Sequence, residues 1–243
     1  MLFRLLTAMK SGDTESLKIA IMLVLLSLPI ILLALCVHET AHGYIAKKLG
    51  DPTASYMGRL TLNPLKHLDP FGFLAMLCVG FGWAKPVPID TRYFKKPRRD
   101  MAICAIAGPI SNILMAFIFM VAYKITCTFT GLSQLVVDYK MQLGIDLGVA
   151  DFAVLLFALG VTLNISLAVF NLLPIPPLDG SKVLYKFLSP STYFKALQYE
   201  QYITMGFFLY LLIEQYLPIQ IVSTVVDFAS AYIIKLFNLI LFF

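Results

Sequence analysis

Residues 19–42 read IAIMLVLLSLPIILLALCVHETAH, and this stretch decides how the rest of the chain is interpreted. Its first part, Ile19 to Val37, is apolar and approaches the roughly 20 residues that a helix needs to cross the hydrocarbon core of a bilayer. It continues without a break into His38-Glu39-Thr40-Ala41-His42. Because ionisable side chains at that depth are costly and usually functional, the first membrane helix is predicted to carry polar chemistry near its end.

The spacing of His38 and His42 is that of a metal site on a helix. Residues at positions i and i+4 lie on one helical face, so both imidazoles can reach the same tetrahedral zinc ion. Glu39 lies beside them, where its carboxylate can serve as the general base of a hydrolytic reaction. The alternative reading, an interfacial helix cap, leaves unexplained why apolar residues lead directly into His38.

The composition also points to a membrane. Of 243 residues, 59% are hydrophobic and only 14% are charged, whereas soluble domains average about 25% charged residues. The bilayer is the natural solvent for this excess of apolar surface. The net charge of +5 is modest, and since no basic stretch is interleaved with aromatic residues, we expect the lipid bilayer and no nucleic acid as a partner.

The apolar stretches predict an all-α polytopic membrane protein with about five to six transmembrane or re-entrant helices. Phe71 to Gly82 is too short for a span and is predicted to be re-entrant. Tyr56 to Leu62 resembles a strand, which predicts a small β element near residues 56–90. The predicted spans are Leu17–Lys47, Met101–Tyr123, Leu147–Leu173, 201–217 and 219–242.

The domain organisation and the orientation follow from the same stretches. We expect one membrane-embedded domain over residues 1–243, with a catalytic core at about 17–190 and C-terminal membrane helices at about 199–243. Residues 47–100 carry ten Lys and Arg, and the loop 124–146 carries two. The positive-inside rule therefore places the 47–100 segment in the cytoplasm. We expect a multi-pass protein of a prokaryotic cell membrane with its active site toward the cytoplasmic side.

A hydrolytic zinc site needs a third protein ligand and one open position. The candidates are His67, Asp69 and Asp179. Asp179 is favoured because it follows an apolar span and a stretch broken by prolines, and irregular backbone at membrane depth is tolerated where it lines a cavity. An ordinary Asp-Gly turn is the alternative for Asp179. His67 and Asp69 fit a structural turn better than a ligand set.

Five motifs occur in a fixed order along the chain. They are His38-Glu39-Thr40-Ala41-His42, Asn63-Pro64-Leu65-Lys66-His67-Leu68-Asp69-Pro70, Phe81-Gly82-Trp83-Ala84-Lys85-Pro86-Val87-Pro88, Ala107-Gly108-Pro109-Ile110-Ser111-Asn112, and the stretch from Asn171 to Gly180. With these motifs the chain resembles the site-2 protease family of intramembrane zinc metalloproteases. Together they cover residues 38–180, whereas the residues past about 190 carry no matching motif.

This resemblance implies a zinc metalloendopeptidase with one catalytic Zn²⁺. It implies that His38, His42 and Asp179 hold the metal and that Glu39 is the general base. The implied substrates are transmembrane or membrane-associated proteins, which are cut in regulated intramembrane proteolysis. Many relatives carry a PDZ or CBS module, which does not fit here, so the chain resembles a compact form of the family.

The resemblance also implies that Asn171 and Asn112 contact the substrate near the metal. A buried asparagine offers hydrogen-bond donors to a developing oxyanion. The alternative role for both asparagines is to hold neighbouring helices together within the membrane.

Two other classes of protein fit parts of the pattern. A membrane zinc peptidase with a glutamate as third ligand would have to use Glu15, Glu200 or Glu214, and none of these lies on a span in a suitable ligand pattern. A zinc-binding scaffold or transporter usually has several intramembrane polar sites and often an inverted repeat. The sequence shows one compact set of candidate ligands and no repeat.

Overall fold

The computed structural model describes residues 14–79, 82–214 and 216–241. Residues 1–13 and Phe81 of the motif around Trp83 lie outside this part of the chain. The described α-helices are α1 (Thr14–Lys48), α2 (Thr53–Tyr56), α3 (Pro64–His67), α4 (Pro70–Val79), α5 (Pro97–Thr130), α6 (Gln134–Gln142), α7 (Val149–Leu172), α8 (Asp179–Tyr185), α9 (Pro190–Glu214) and α10 (Ile221–Ile240).

Four of these helices are long and apolar enough to cross a membrane: α1 from Leu17 onwards, α5, α7 and α10. Large apolar side chains on their outer surfaces are exposed, among them Leu25, Ile118 and Phe228. Lipid tails would cover such side chains at no cost, whereas water would not. The prediction of an all-α polytopic membrane protein is confirmed.

The largest core cluster joins α5, α7 and α10. Ala116 and Met120 of α5 pack with Val161 and Ile165 of α7 and with Phe237 near the end of α10. Ala116 is fully buried in this cluster, and small residues of this kind let helix backbones approach one another in membranes. α5 also packs against α1, so it lies at the centre of the bundle.

α10 runs antiparallel to α7. Val222 at the start of α10 packs in one cluster with Phe170 near the end of α7. Phe237 near the end of α10 packs with Val161 in the middle of α7. The start of α10 therefore lies at the end of the bundle where α7 ends.

α9 differs from the predicted span at 201–217. It has 25 residues, or about 37 Å at 1.5 Å per residue, but it is not among the helices apolar enough to span. Arg98 at the start of α5 donates to the carbonyl of Leu188 just before α9. At the other end, the Glu214 carboxylate accepts from Val222 N–H at the start of α10, 2.7 Å away. Both ends of α9 therefore lie at the end of the bundle where α5 and α10 begin.

The strand predicted at Tyr56–Leu62 does not form. α2 ends at Tyr56, and Gly58 follows in a turn with a φ of +62°, which a regular strand cannot contain. Within the described residues, the small β element near 56–90 is reduced to one antiparallel bridge between Leu68 and Ala84. Arg59 supports it by donating to the Lys85 carbonyl over 2.7 Å.

α4 has ten residues, or about 15 Å, which is half of a hydrocarbon core of about 30 Å. The prediction that Phe71 to Gly82 does not cross the membrane agrees with this length. α4 lies directly against the following segment, since a Cβ placed on Gly72 would be 2.1 Å from the Trp83 carbonyl oxygen.

Candidate metal centre

The structure brings together three of the residues that the sequence analysis singled out. Asp179 Oδ2 lies 3.1 Å from His38 Nε2 and 3.0 Å from His42 Nε2. One ligand atom from each of the three lies within 4.8 Å of the others. All three residues are buried, so α1 and the start of α8 place two imidazoles and one carboxylate around one point.

The turn before α8 positions Asp179. The chain leaves α7 at Leu172, passes through prolines that include a cis Pro176–Pro177 bond, and begins a new helix at Asp179. Gly180 is required at this turn, because a Cβ there would be 2.2 Å from the Leu172 carbonyl oxygen.

Asn112 fixes the orientation of His38. Its Oδ1 lies 2.6 Å from His38 Nδ1, and its Nδ2 donates to the carbonyl of Ala34 and to Oδ1 of Asn164. Asn164 Nδ2 donates in turn to the Gly160 carbonyl over 2.9 Å. Because Asn112 Oδ1 is an acceptor, the proton of His38 is on Nδ1 and its Nε2 lone pair faces Asp179.

His42 is held in the same tautomer by a different partner. Its Nδ1 lies 2.7 Å from the backbone carbonyl oxygen of Cys104 in α5. A carbonyl can only accept, so the proton is again on Nδ1 and Nε2 is free to bind a metal. Both histidines therefore present the nitrogen that a metal ion requires.

Gly108 leaves the room that an ion needs. A Cβ at this position would lie 2.5 Å from His42 Nε2 and 2.6 Å from His38 Nε2. The missing side chain thus opens space directly at the two ligand nitrogens. Two imidazole nitrogens and one carboxylate are also a ligand set that zinc accepts with a fourth position open, so the residues present fit a catalytic zinc ion.

The second oxygen of Asp179 faces a lysine. Lys182 Nζ lies 3.5 Å from Asp179 Oδ1, one helical turn further along α8. The lysine thus attracts Oδ1 while Oδ2 stays with the two histidines. Oδ2 is therefore the Asp179 oxygen that would hold a metal together with the two imidazoles.

Glu39 lies next to the metal-binding residues, but the hydrogen-bond partner of its carboxylate lies outside their cluster. Its Oε2 accepts a hydrogen bond of 2.8 Å from the backbone N–H of Val87. Val87 is buried and belongs to the irregular segment between α4 and α5. This contact brings the Trp83–Val87 segment alongside the end of α1.

Three other candidates are not part of this cluster. The side chain of Asn171 donates to the carbonyl of Leu167 on its own helix. His67 Nε2 bonds the Thr61 carbonyl, and Asp69 Oδ1 accepts from the N–H of Gly72. The last two bonds belong to the turns around α3 and α4, as the sequence analysis expected.

The sequence analysis missed Asn164 and Lys182. Asn164 is fully buried, and an asparagine in the middle of an apolar span is a signal that could have been noted. Lys182 gave no signal, because a lysine three residues after Asp179 is also what a cytoplasmic loop would contain.

Comparison with known proteins agrees with the site. The two-His, one-Asp cluster inside a bundle of spanning helices has the features of a membrane metallopeptidase. Residues 26–213 match the profile of Peptidase family M50. The chain therefore belongs to peptidase family M50, a family of zinc metalloproteases.

Individual relatives carry matching names. The chain is 40% identical over 183 residues to "Putative zinc metalloprotease YwhC" of Bacillus subtilis, which covers 75% of this chain and 77% of the relative. It is 30% identical over 171 residues to "Putative zinc metalloprotease Rip2" of Mycolicibacterium smegmatis, covering 66% and 56%. It is 29% identical over 152 residues to "Putative zinc metalloprotease MJ0611" of Methanocaldococcus jannaschii, covering 60% and 62%. No solved structure matches the chain.

Proposed function

We propose that this protein is an intramembrane zinc metalloendopeptidase that hydrolyses peptide bonds of transmembrane or membrane-associated proteins. The observation that carries the proposal is the cluster of His38, His42 and Asp179 at the end of a spanning helix. A metal site at this position faces substrates that lie in or beside the bilayer. We assign residues 1–243 to a single membrane-embedded metalloprotease domain.

His38, His42 and Asp179 would hold one zinc ion, with Asn112 and the Cys104 carbonyl orienting the two imidazoles. The ion, when bound, polarises the scissile carbonyl and lowers the pKa of a water molecule toward neutral. Glu39 takes the proton from the attacking water and passes it to the leaving amine. The hydrogen bond from Val87 N–H holds the Glu39 carboxylate beside the ligands while it does so.

The substrate segment must be unwound before it can be cut. Amides in a transmembrane helix are already hydrogen-bonded within that helix, and an unpaired amide in hydrocarbon costs several kcal/mol. The enzyme therefore has to offer hydrogen-bond partners to the unwound residues. Asn171 remains a candidate for such a contact, since it lies on the last turn of α7 before the prolines.

The metal is proposed to lie within the membrane, nearer the cytoplasmic face of a cell membrane. Ile19 to His38 covers about 28 Å of helix at 1.5 Å per residue, close to the roughly 30 Å thickness of the hydrocarbon core. Lys47 and Lys48 follow on the exposed last turn of α1, where they can reach anionic headgroups.

Replacement of Glu39 by Gln tests the chemistry. The purified variant is reconstituted with a panel of tagged single-span proteins, and both cleavage and zinc content are measured. We expect cleavage to be abolished while zinc stays bound, because a side-chain amide cannot accept the proton and the ligands are unchanged. Glu200→Gln on α9, outside the cluster, is the matched control and should cut like the wild type. Near-normal cleavage by Glu39→Gln would refute the mechanism.

A further inference from the structure

A cavity of about 310 Å³ lies beside the metal centre, which is within the range of about 300–1,000 Å³ that is common for ligand pockets. Its walls come from α1, from the α3–α4 region and from α7. They are mostly apolar, and the residues on which the argument depends are Leu35, Met76, Trp83, Ser166 and Phe170.

Two stretches of chain connect the wall of the cavity to the catalytic residues. On α1, Ala34 and Cys36 line it and precede His38 by about one turn or less. On the irregular segment, Trp83 and Ala84 line it, and Val87 further along binds Glu39. A peptide that follows this segment away from Glu39 therefore enters the cavity.

The position of the cavity along α1 sets its depth. Its lining on α1 runs from Ile31 to Cys36, between two and seven residues before His38, or about 3–10 Å along the helix. His38 lies toward the end of α1 and these residues lie toward its middle. The cavity is thus deeper in the bilayer than the metal centre.

His67 adds a polar group to the apolar wall. Its ring lines the cavity, and its Nε2 is engaged with the Thr61 carbonyl oxygen, 2.7 Å away. With the proton on Nε2, Nδ1 is an acceptor, and this nitrogen is buried without a hydrogen-bond partner among the described residues. Because Nδ1 has almost no accessible surface, the His67 ring adds polarity to the wall and no exposed hydrogen-bonding group.

Aromatic pairs join the cavity to α9. Trp83 packs against Phe208 with ring centroids 6.0 Å apart, and Phe170 packs against Phe207 at the same distance. Both wall residues therefore contact a helix that is not among the spanning ones.

We propose that this cavity is the specificity subsite for apolar side chains of the substrate on the deeper side of the scissile bond. The inference rests on the proposed function, because it takes the occupant to be an unwound peptide. A peptide is favoured over a lipid tail because the wall residues Trp83 and Ala84 belong to the segment whose Val87 N–H holds Glu39. The subsite accepts medium to large apolar residues and rejects charged ones.

Binding measurements test the subsite without depending on cleavage. The probes are fluorescent single-span peptides that carry Ala, Leu, Phe or Asp at one guest position within the apolar span. They are titrated in detergent micelles against the Glu39→Gln protein, which cannot cut them. We expect Leu and Phe peptides to bind about 10-fold or more tighter than the Ala peptide, the scale of one or two methylenes in an apolar pocket.

Two changes of cavity volume should shift this preference in opposite directions. Ser166→Phe fills the cavity and should abolish the preference for Leu and Phe over Ala. Met76→Ala enlarges it and should increase the preference for Phe over Leu. Thr162→Phe on α7 and Leu74→Ala on α4 change exposed positions outside this cavity and should leave the ranking unchanged.

The outcomes distinguish the proposed subsite from the proposed proteolytic reaction. Equal effects of Ser166→Phe on all peptides, or an unchanged ranking in both variants, would overturn the subsite and would favour a lipid tail as its occupant. A ranking that follows cavity volume supports the subsite even if the wild-type protein cuts none of the peptides. In that case the proposed proteolysis, and not the apolar peptide site, would be wrong.

Discussion

His38 Nδ1 and Asn112 Oδ1 are 2.6 Å apart, and this contact ties the first spanning helix to the second. Asn112 extends the link to the third spanning helix through Asn164. The same hydrogen bond sets the tautomer of His38. The Asn112 side chain therefore contributes both to the packing of the bundle and to the ability of His38 to bind a metal. Removal of a hydrogen-bond partner of this kind typically lowers metal affinity by about 10–100-fold.

Asn112→Ala should therefore lower zinc affinity about 10–100-fold. The imidazole of His38 would lose its acceptor and rotate or change tautomer more freely. Competition titration with a chelator of known affinity measures the effect directly. If Asn112 acts on the substrate alone, zinc affinity would stay at the wild-type value while KM rises.

Asn238→Ala is the matched control for this change. Asn238 is exposed on α10, and its side chain donates to the Ile234 carbonyl of its own helix. Removing it should leave both zinc affinity and cleavage unchanged. A fall in zinc affinity for this variant would mean that any lost asparagine weakens the bundle, and the special role of Asn112 would be disproved.

Gly108→Ala should abolish zinc binding. The new Cβ would lie 2.5 Å from His42 Nε2 and 2.6 Å from His38 Nε2, which is too close for either nitrogen to keep its position. The loss should exceed the about 10–100-fold typical of a missing hydrogen-bond partner. Gly206→Ala on α9 is the control, since a Cβ there meets nothing within 4 Å. Retention of zinc by Gly108→Ala would show that the metal lies elsewhere.

Asp179→Ala should reduce both zinc content and activity, whereas His67→Ala should leave zinc in place. Asp179 provides the oxygen that both histidines approach, and His67 binds the Thr61 carbonyl outside the cluster. Metal analysis of the purified variants distinguishes the two residues. The reverse pattern, with zinc lost only from His67→Ala, would require a different ligand set.

The sequence could predict the part of the site that lies on one helix. His38, Glu39 and His42 are fixed relative to one another by helical spacing alone. Asp179 could be singled out only as one of three candidates, because no local rule sets the distance between residues 141 positions apart. The structure adds the shared Oδ2 contact, which depends on how α1, α7 and α8 pack.

The wrong predictions for two segments also have physical explanations. Tyr56 to Leu62 contains one aromatic and one β-branched residue, but Gly58 turns the chain and Asn63 caps α3. Likewise, the apolar residues of 201–214 form part of α9, whose first half carries Lys195 and Glu200. Propensity in a short window cannot show that tertiary contacts hold both ends of this helix at one end of the bundle.

The orientation of the bundle gives the last prediction. α5 begins near the metal centre and α6 follows its far end, so the two segments should lie on opposite sides of the membrane. In a variant without native cysteines, a cysteine at Lys96 should react with a membrane-impermeant maleimide only after the cells are opened, and one at Leu135 should react in intact cells. Both positions are exposed in the structure.

A cysteine at Lys48, exposed on the last turn of α1, should behave like the one at Lys96, because the basic residues of 47–100 are expected in the cytoplasm. Labelling of position 96 in intact cells would show that the topology is inverted and that the site of cleavage lies near the outer face.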